Sequence, residues 1–348
     1  MSNQFLKLFR YNPVMAFITI NRENFFYNLN QIAQKVGSLD KIAIVLKDNA
    51  YGHGLEVMAK LASEFGIQHA VVHNYQEAQR INLLFSTTLI LGSEVIPIKR
   101  CHYAINSLDD IKNIPPFTKV ELKVDTGMHR NGIDIDEIDI AIDMIERYRL
   151  KLVGLMTHHR SADELTSEFF WQEKQFQIVK DTIRGRGFNN IRVHSCNSSA
   201  TLRKSRVGDD IVRVGISAYG YNELPNPFNS ITLKPVLELY AKKVSSRVLK
   251  SGCRVGYGAD FIAPKDMSIS TYDIGYGDGW YRGDSQKPYI TPDGFRVLGR
   301  VSMDLMTLNS SLDEVSIMKS AKESAKQFDT ISYDIITSLS PNIPRYIV

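Results

Sequence analysis

The chain has 348 residues, 43% hydrophobic and 23% charged, a soluble globular composition with length enough for two domains. Its 42 basic and 38 acidic residues leave a formal charge of +4, with no dense Lys/Arg block among aromatics, which argues against a nucleic-acid partner. Cys101, Cys196 and Cys253 are too few and scattered for a disulfide scaffold or zinc site, and no window approaches a membrane span.

The opening MSNQFLKLFRYNPVMAF is broken by Lys7 and Arg10 and lacks the apolar core of a signal peptide, so a cytoplasmic location is expected. Ile42–Leu46 (IAIVL) then reads as a strand buried on both faces. It stops abruptly at Lys47, with Asp48, Asn49, Tyr51, Gly52, His53 and Gly54 crowded behind. Seven further short apolar runs follow, at His69–His73, Thr88–Gly92, Tyr103–Asn106, Lys119–Asp125, Leu152–His158, Ile191–Cys196 and Ile211–Gly215. Amphipathic stretches separate most of them, as at Leu55–Phe65, Asn74–Leu84, Asp136–Arg149 and Glu164–Arg186, while Leu108–Pro115 is short and poorly periodic.

Eight strands alternating with helices over this length predict an α/β fold, a (β/α)8 TIM-type barrel. The competitor is a doubly wound open sheet, which would want a glycine fingerprint after its first strand; KDNAYGHG is not one. After Ser230 the pattern changes to alternating strands with Gly, Pro and Asp turns, as in ITLKPVLELYAKKVSSRVL, KSGCRVGYGADF, TPDGFRVLGRVSMDLMTL and FDTISYDIIT. A mainly β C-terminal domain is expected, interrupted by a short helix around Glu314–Lys326. The expected domains are residues 12–230 and 231–348, with residues 1–11 packing on the second.

Barrel chemistry sits where the βα loops converge, at the C-terminal ends of the strands. Those ends carry Lys47, Arg130, His158 and His159, Asn197 and Ser198, and Arg213 followed by Gly215 and Ile216. Together they describe a cationic pocket for an anionic ligand, without a carboxylate pair or a metal-ligand set. Each also has a plainer reading: Lys47 as a surface charge, the histidines as backbone partners, Arg213 paired with Asp209 or Asp210, and Gly215 as a site of close backbone packing.

VLKDNAYGHG resembles the lysine signature of the alanine racemases, enzymes built on pyridoxal phosphate (PLP), a barrel and a β domain. LKVDTGMHRNGI, MTHHRSADE, HSCNSSATL, VRVGISAYG, VGYGADF, IGYGDGW, GRVSMD and ISYDI follow in the family's order, from about Ala16 to Arg345. The resemblance implies that Lys47 holds PLP covalently and serves as one catalytic base, while Tyr257 is the opposite-face base, reaching in from the second subunit of a homodimer. It implies that Tyr51, Ser198, the backbone N–H groups of Gly215 and Ile216, and Tyr333 bind the cofactor phosphate, with Asn197 beside them. His158 would pack by the pyridine ring and Arg213 would bond its nitrogen. Arg130 would orient the tyrosine and hold the substrate carboxylate, and the partner's Tyr276, Met303 and Asp304 would line the substrate entry. Lys123 matches a lysine that is carbamylated in some members.

These residue types suit the chemistry. Racemisation removes the Cα proton from one face and returns one to the other, so two bases are needed. A tyrosine, with a pKa of about 10, needs a cation such as Arg130 nearby to ionise. An arginine at the pyridine nitrogen donates without yielding its proton, which restrains the competing chemistry that an acidic partner would open. The implied function is interconversion of L- and D-alanine to supply D-alanine for the bacterial cell wall. Alternatives are a serine or broad-specificity racemase and, further off, a PLP-dependent decarboxylase or a non-enzymatic PLP-binding barrel. Asp48, His129, His159 and Arg160 depart from the family pattern as it stands here.

Overall fold

The computed structural model describes residues 16–92, 94–225, 228 and 231–348. The expectation for residues 1–11 lies outside them. Two compact units emerge, Glu23–Lys234 and a second that joins residues 16–22 to Pro235–Val348.

The chain opens with β1 (Phe17–Ile20) and α1 (Arg22–Val36), then β2 (Ile42–Val45), α2 (Lys47–Tyr51), α3 (Leu55–Phe65), β3 (His69–Val72), α4 (Tyr75–Ile81), β4 (Thr87–Ile90) and β5 (Cys101–Ile105). There follow α5 (Leu108–Ile111), β6 (Lys119–Lys123), α6 (Ile138–Arg147), β7 (Lys151–Met156), α7 (Glu168–Gly185), β8 (Arg192–His194), α8 (Ser198–Arg203) and β9 (Val212–Val214). β2 to β9 form one parallel sheet in the order β8-β7-β6-β5-β4-β3-β2-β9. Across the seam, Asp210 N–H donates to Val193 O (3.0 Å) and Arg213 N–H to Cys196 O (2.9 Å). The result is a nearly closed barrel of eight parallel strands, which removes the open-sheet competitor.

The continuous apolar runs form strands because both faces are covered: all four residues of β2 and all five of β5 are buried. α6 presents Ile138, Ala141, Ile142 and Ile145, spaced one helical face apart, to a cluster with Leu122, Val124, Leu155 and Val179. Burial of each such isoleucine or leucine is worth about 1.5–3 kcal/mol. Side-chain caps start the helices where the sequence supplies them. Asn74 accepts from Glu77 N–H at α4, and Ser107 and Asp110 make a reciprocal capping box at α5. Because the strands are parallel, all their C-terminal ends open at one mouth.

The second unit is mainly β, with β10 (Leu237–Leu249), β11 (Arg254–Val255), β12 (Phe261–Ile262), β13 (Met267–Tyr272), β14 (Met306–Leu308), β15 (Glu314–Met318), α9 (Ala321–Phe328), α10 (Ser332–Thr337) and β16 (Arg345–Ile347). The long β10 pairs antiparallel with β1, β13 and β15, and β1 also pairs in parallel with β16. β1, which the expected boundaries put at the head of the barrel domain, therefore belongs to this sheet.

Two local expectations are corrected. The helix expected from Glu314 begins only at Ala321, because Val315 and Ile317 are buried on β15 against β10. The stretch FDTISYDIIT, grouped with the strands, holds the helix α10, which buries Ser332, Ile335 and Ile336 at helical spacing. A short apolar run does not distinguish the two periods.

Candidate active site

Lys47 follows directly on β2, whose ladder continues through Leu46 N–H to Val71 O (2.8 Å). The chain then turns in the left-handed sense: Asp48, Asn49, Ala50 and Tyr51 have φ of 55°, 54°, 53° and 53°, and Gly52 of 78°. The sequence spacing from Lys47 to Tyr51 suggests one helical turn; its hand is the reverse of the usual one. Left-handed backbone costs an L-residue about 1–2 kcal/mol. Here it is held by Asn49 N–H to Glu77 Oε1 (3.2 Å), Leu55 N–H to Asn49 Oδ1 (2.9 Å), Ala50 N–H to Leu46 O (2.8 Å) and Gly54 N–H to Asn49 O (2.9 Å).

This turn delivers Tyr51 into the interior. Its ring lies 5.1 Å from that of Tyr219, whose hydroxyl donates to Val45 O (2.8 Å). His53, fully buried, packs on Tyr219 at 4.4 Å and places Nδ1 2.9 Å from Tyr51 O. Tyr219 and Glu77 are thus supports that the sequence reading missed. Tyr219 lies within VRVGISAYG, but nothing in the spacing shows which side chains it props. The Tyr51 hydroxyl fills the space above Gly215, where an added Cβ would come within 2.5 Å of it. So Gly215 accommodates a tyrosine side chain rather than neighbouring backbone. Gly215 N–H donates to Ser198 Oγ (3.0 Å), and Ser217 N–H approaches the same oxygen (3.4 Å). Tyr51 OH, Ser198 Oγ and the buried Gly215–Ile216 segment therefore meet at one point. Asn197 caps α8, accepting from Ala200 N–H (2.9 Å) and donating to His159 O (3.3 Å).

Arg213 is 5% exposed and points along the barrel interior. Nη1 donates to His194 Nδ1 (2.8 Å) and His194 O (3.1 Å), and Nη2 to Thr157 O (2.6 Å) and Ser195 O (3.0 Å). Its Nε–H is the one donor without a hydrogen-bond partner among the described residues. Asp209 and Asp210, the carboxylates nearest it in sequence, are engaged elsewhere. Asp209 accepts from the N–H groups of Ser195 (2.5 Å) and Cys196 (2.9 Å), and Asp210 from Val193 N–H (2.7 Å).

Burial, then the charges of Arg213 and Arg130, hold His158 well below the usual imidazole range, so it is neutral at pH 7. Lys123 is pushed down to about 8 by burial and by the nearby Arg130 and Arg213. Its ammonium bonds Asn131 Oδ1 and lies 3.5 Å from Asn106 Oδ1. Lys47 Nζ is 3.4 Å from the Asp48 carboxylate, both side chains being open to solvent. Arg130 is exposed.

The remaining expected residues lie on the second unit. Tyr257 sits in a 3-10 turn and is 65% exposed; its turn packs on Arg300, which pairs with Asp260. Tyr276 N–H donates to Ser302 O (3.1 Å) and Gly277 N–H to Met303 O (2.7 Å), so Tyr276, Met303 and Asp304 are gathered in one place. Tyr276 is 42% and Met303 55% exposed. Tyr333 is the second residue of α10. The structure thus collects the barrel residues at one mouth and the Tyr276–Met303–Asp304 set separately on its own unit.

Residues 20–223 match the family model for the alanine racemase N-terminal domain, and residues 236–347 that for the alanine racemase C-terminal domain. The chain belongs to the alanine racemase family. It is 44% identical over 335 residues to an alanine racemase of a Nitratiruptor species, covering 95% of this chain and 99% of that one. Among solved structures, alanine racemase from Clostridium difficile 630 superposes with a TM-score of 0.86 at 25% identity, covering 97% of this chain and 96% of that one. The fold is shared as well by a Bartonella henselae alanine racemase with covalently bound pyridoxal phosphate, at a TM-score of 0.81 and 23% identity, covering 97% of this chain and 100% of that one.

The residues present fit the cofactor of the alanine racemases. A hydroxyl pair beside a glycine without room for Cβ suits a phosphate, and the unengaged Arg213 Nε–H suits a ring nitrogen that only accepts. The departures from the family pattern also find local causes. His129 has φ 53°, the region that favours glycine, and its N–H donates to Asp125 Oδ1 (3.1 Å). His159 is turned into the protein, with Nε2 2.9 Å from Glu173 Oε1, and Arg160 pairs with Glu168. No helix among the described residues is long and apolar enough to cross a membrane.

Proposed function

We propose that the chain interconverts L- and D-alanine with pyridoxal phosphate, as a homodimer whose two copies share each site. Such an enzyme would work in the cytoplasm and supply D-alanine for the cell wall. The observation that carries the reading is Arg213: every donor but Nε–H is tied to barrel carbonyls or His194, and no carboxylate among the described residues bonds it. Bound pyridoxal phosphate supplies the electron sink that acidifies the substrate Cα–H.

The chain's own groups do the rest. Lys47 Nζ attaches the cofactor and, once released, removes or returns the Cα proton on its face. Tyr257 of a second copy serves the opposite face, ionised by the guanidinium of Arg130. Ser198 Oγ, Tyr51 OH and the Gly215–Ile216 backbone hold the phosphate. His158, kept neutral, covers the ring without adding charge. Arg213, which keeps its proton, would bond the ring nitrogen without protonating it, which favours return of a proton over decarboxylation. Arg130 would help receive the substrate carboxylate, and Tyr276, Met303 and Asp304 of the second copy would narrow the entrance to alanine's methyl group.

The direct check is a panel of L-amino acids incubated with the protein and PLP, separated by chiral chromatography. D-alanine is expected to form fastest, with serine slower by about tenfold or more because its longer side chain must pass an entrance narrowed by Tyr276 and Met303 of the second copy. Carbon dioxide release in place of a D-enantiomer would sink the reading.

Carbamylation of Lys123 is a second element of the proposal. With its pKa at about 8, the neutral amine that reacts with carbon dioxide is present in quantity at mildly alkaline pH. The resulting anion would face Arg130. Native mass spectrometry is expected to find the carbamate increasing with bicarbonate and with pH, and absent in Lys123→Met. An unmodified lysine under saturating bicarbonate would dismiss it.

A further inference from the structure

Glu121 is a fully buried carboxylate to which the mechanism above gives no task. It stands on β6 in the barrel interior, beside Gly154 of β7, where an added Cβ would lie 2.7 Å from the Glu121 carboxyl carbon. Its Oε2 is 2.6 Å from His194 Nε2, while Oε1 takes His102 Nδ1 (2.8 Å) and Arg192 Nη2. Arg192 continues to Thr87 Oγ1 (3.0 Å), which also meets His69 Nδ1 (2.7 Å). A continuous polar chain thus runs from Arg213 through His194 and Glu121 to the opposite, N-terminal end of the strands.

The hydrogen-bond roles along it follow from one fact. An arginine only donates, so His194 Nδ1, 2.8 Å from Arg213 Nη1, must be the bare nitrogen. The imidazole proton then sits on Nε2, and its acceptor is Glu121 Oε2. We propose that Glu121 is a positioning residue for Arg213: through His194 it fixes which imidazole nitrogen is bare and thereby holds the arginine with its Nε–H toward the cofactor ring. The proposal rests on the reading of the site given above.

Burial holds His194 below the usual imidazole range, in keeping with a neutral ring between two fixed partners. Burial works against the Glu121 anion, yet the Arg192 charge and the hydrogen bonds from His102 and His194 keep its carboxyl well below the usual range. The charged or titratable groups facing this pair are His102 of β5, Arg192 of β8 and Arg213 of β9. Asp209, Lys123 and His158 lie around Arg213 itself. Removing the carboxylate charge cannot be absorbed silently. In Glu121→Gln the amide has one acceptor for two sides that both donate, so its NH2 must face either Arg192 and His102 or His194. Turned toward His194, it forces the imidazole proton onto Nδ1, against Arg213.

The test uses the full-length chain in two measurements. Nitrogen NMR of histidine-labelled wild-type protein, without cofactor, should find His194 neutral with its proton on Nε2 from about pH 6 to 9. A proton on Nδ1, or titration of His194 within that range, would overturn the proposal whether or not any variant folds. In the PLP-loaded protein, Glu121→Gln should lower kcat by about tenfold or more with KM for alanine changed less than about threefold, and should shift the absorption band of the bound cofactor. Unchanged kcat and spectrum would overturn the proposal, as would a loss of folded protein whose surviving fraction has wild-type kcat and spectrum. Wild-type protein with no racemase activity would overturn the functional reading instead, while the imidazole measurement still decides the relay.

Discussion

Tyr257→Phe is expected to slow proton exchange from one alanine enantiomer by about 100- to 10,000-fold while sparing much of the exchange from the other, because a positioned acid or base contributes that much on the face it serves. Lys47→Ala should abolish turnover in both directions, since it removes the proposed attachment point as well as a proposed base. Exchange of the Cα hydrogen with deuterated water, followed separately from each enantiomer, reads both effects. The proposed dimer then makes a quantitative demand. A mixed dimer of the two variants has one site with neither native residue and one with both, so about half the wild-type activity per dimer should return. The surface of the second unit agrees with such a partner: Tyr257, Tyr276, Met303 and Leu305 are 65%, 42%, 55% and 39% exposed. Verified mixed dimers with no recovered activity would reject shared sites, and equal loss for both enantiomers in Tyr257→Phe would reject two bases.

Gly215→Ala is expected to weaken PLP binding by tenfold or more, about 1.4 kcal/mol. The added Cβ would come within 2.5 Å of the Tyr51 hydroxyl and 2.9 Å of its ring carbon, and must displace the tyrosine from beside Ser198. Overpacking of this kind costs about 1–3 kcal/mol of stability. The companion variant Tyr51→Phe removes the oxygen that clashes but also a phosphate donor. In a double-mutant cycle the pair should recover only part of the lost stability, because the ring carbon 2.9 Å from the added Cβ remains, with a coupling of about 1 kcal/mol, and should not recover cofactor affinity. Denaturant melts of the apoprotein and cofactor titrations separate the two quantities. Wild-type affinity in Gly215→Ala would mean that the phosphate does not sit there.

The barrel was legible because parallel strands covered on both faces write themselves as unbroken apolar runs. Each of the eight runs overlaps an observed strand, from β2 (Ile42–Val45) to β9 (Val212–Val214). α3 (Leu55–Phe65) was legible to the residue, since Gly54 and Gly66 bound it. The second unit was less so. Val315 and Ile317 alternate within a window that also suits a helix, and Ile335–Ile336 suit either period. Strand-end polar residues pointed to the mouth of the barrel, but not to their partners. Nothing in the order of residues showed that Asp209 would be taken by the backbone of Ser195 and Cys196, leaving Arg213 to carbonyls and an imidazole. Nor did it show that Glu121 lies beside His194, since the two are 73 positions apart.

The left-handed turn behind Lys47 bears on how this sequence can drift. Four consecutive L-residues in that conformation amount to about 4–8 kcal/mol of local backbone cost, comparable to the whole net stability of a typical domain. An isolated peptide of this segment would wind the other way. Its native hand is imposed by Glu77, Leu46 and Leu55 from outside the turn and by Asn49 within it. The native turn therefore depends on α4 lying beside β2, since Glu77 of α4 accepts from Asn49 N–H. It also confines this stretch to a small alphabet. Asp, Asn and Gly tolerate the conformation, whereas a β-branched residue at positions 48 to 51 would add strain. Natural variation around the lysine is then filtered by backbone handedness before any chemistry is tested.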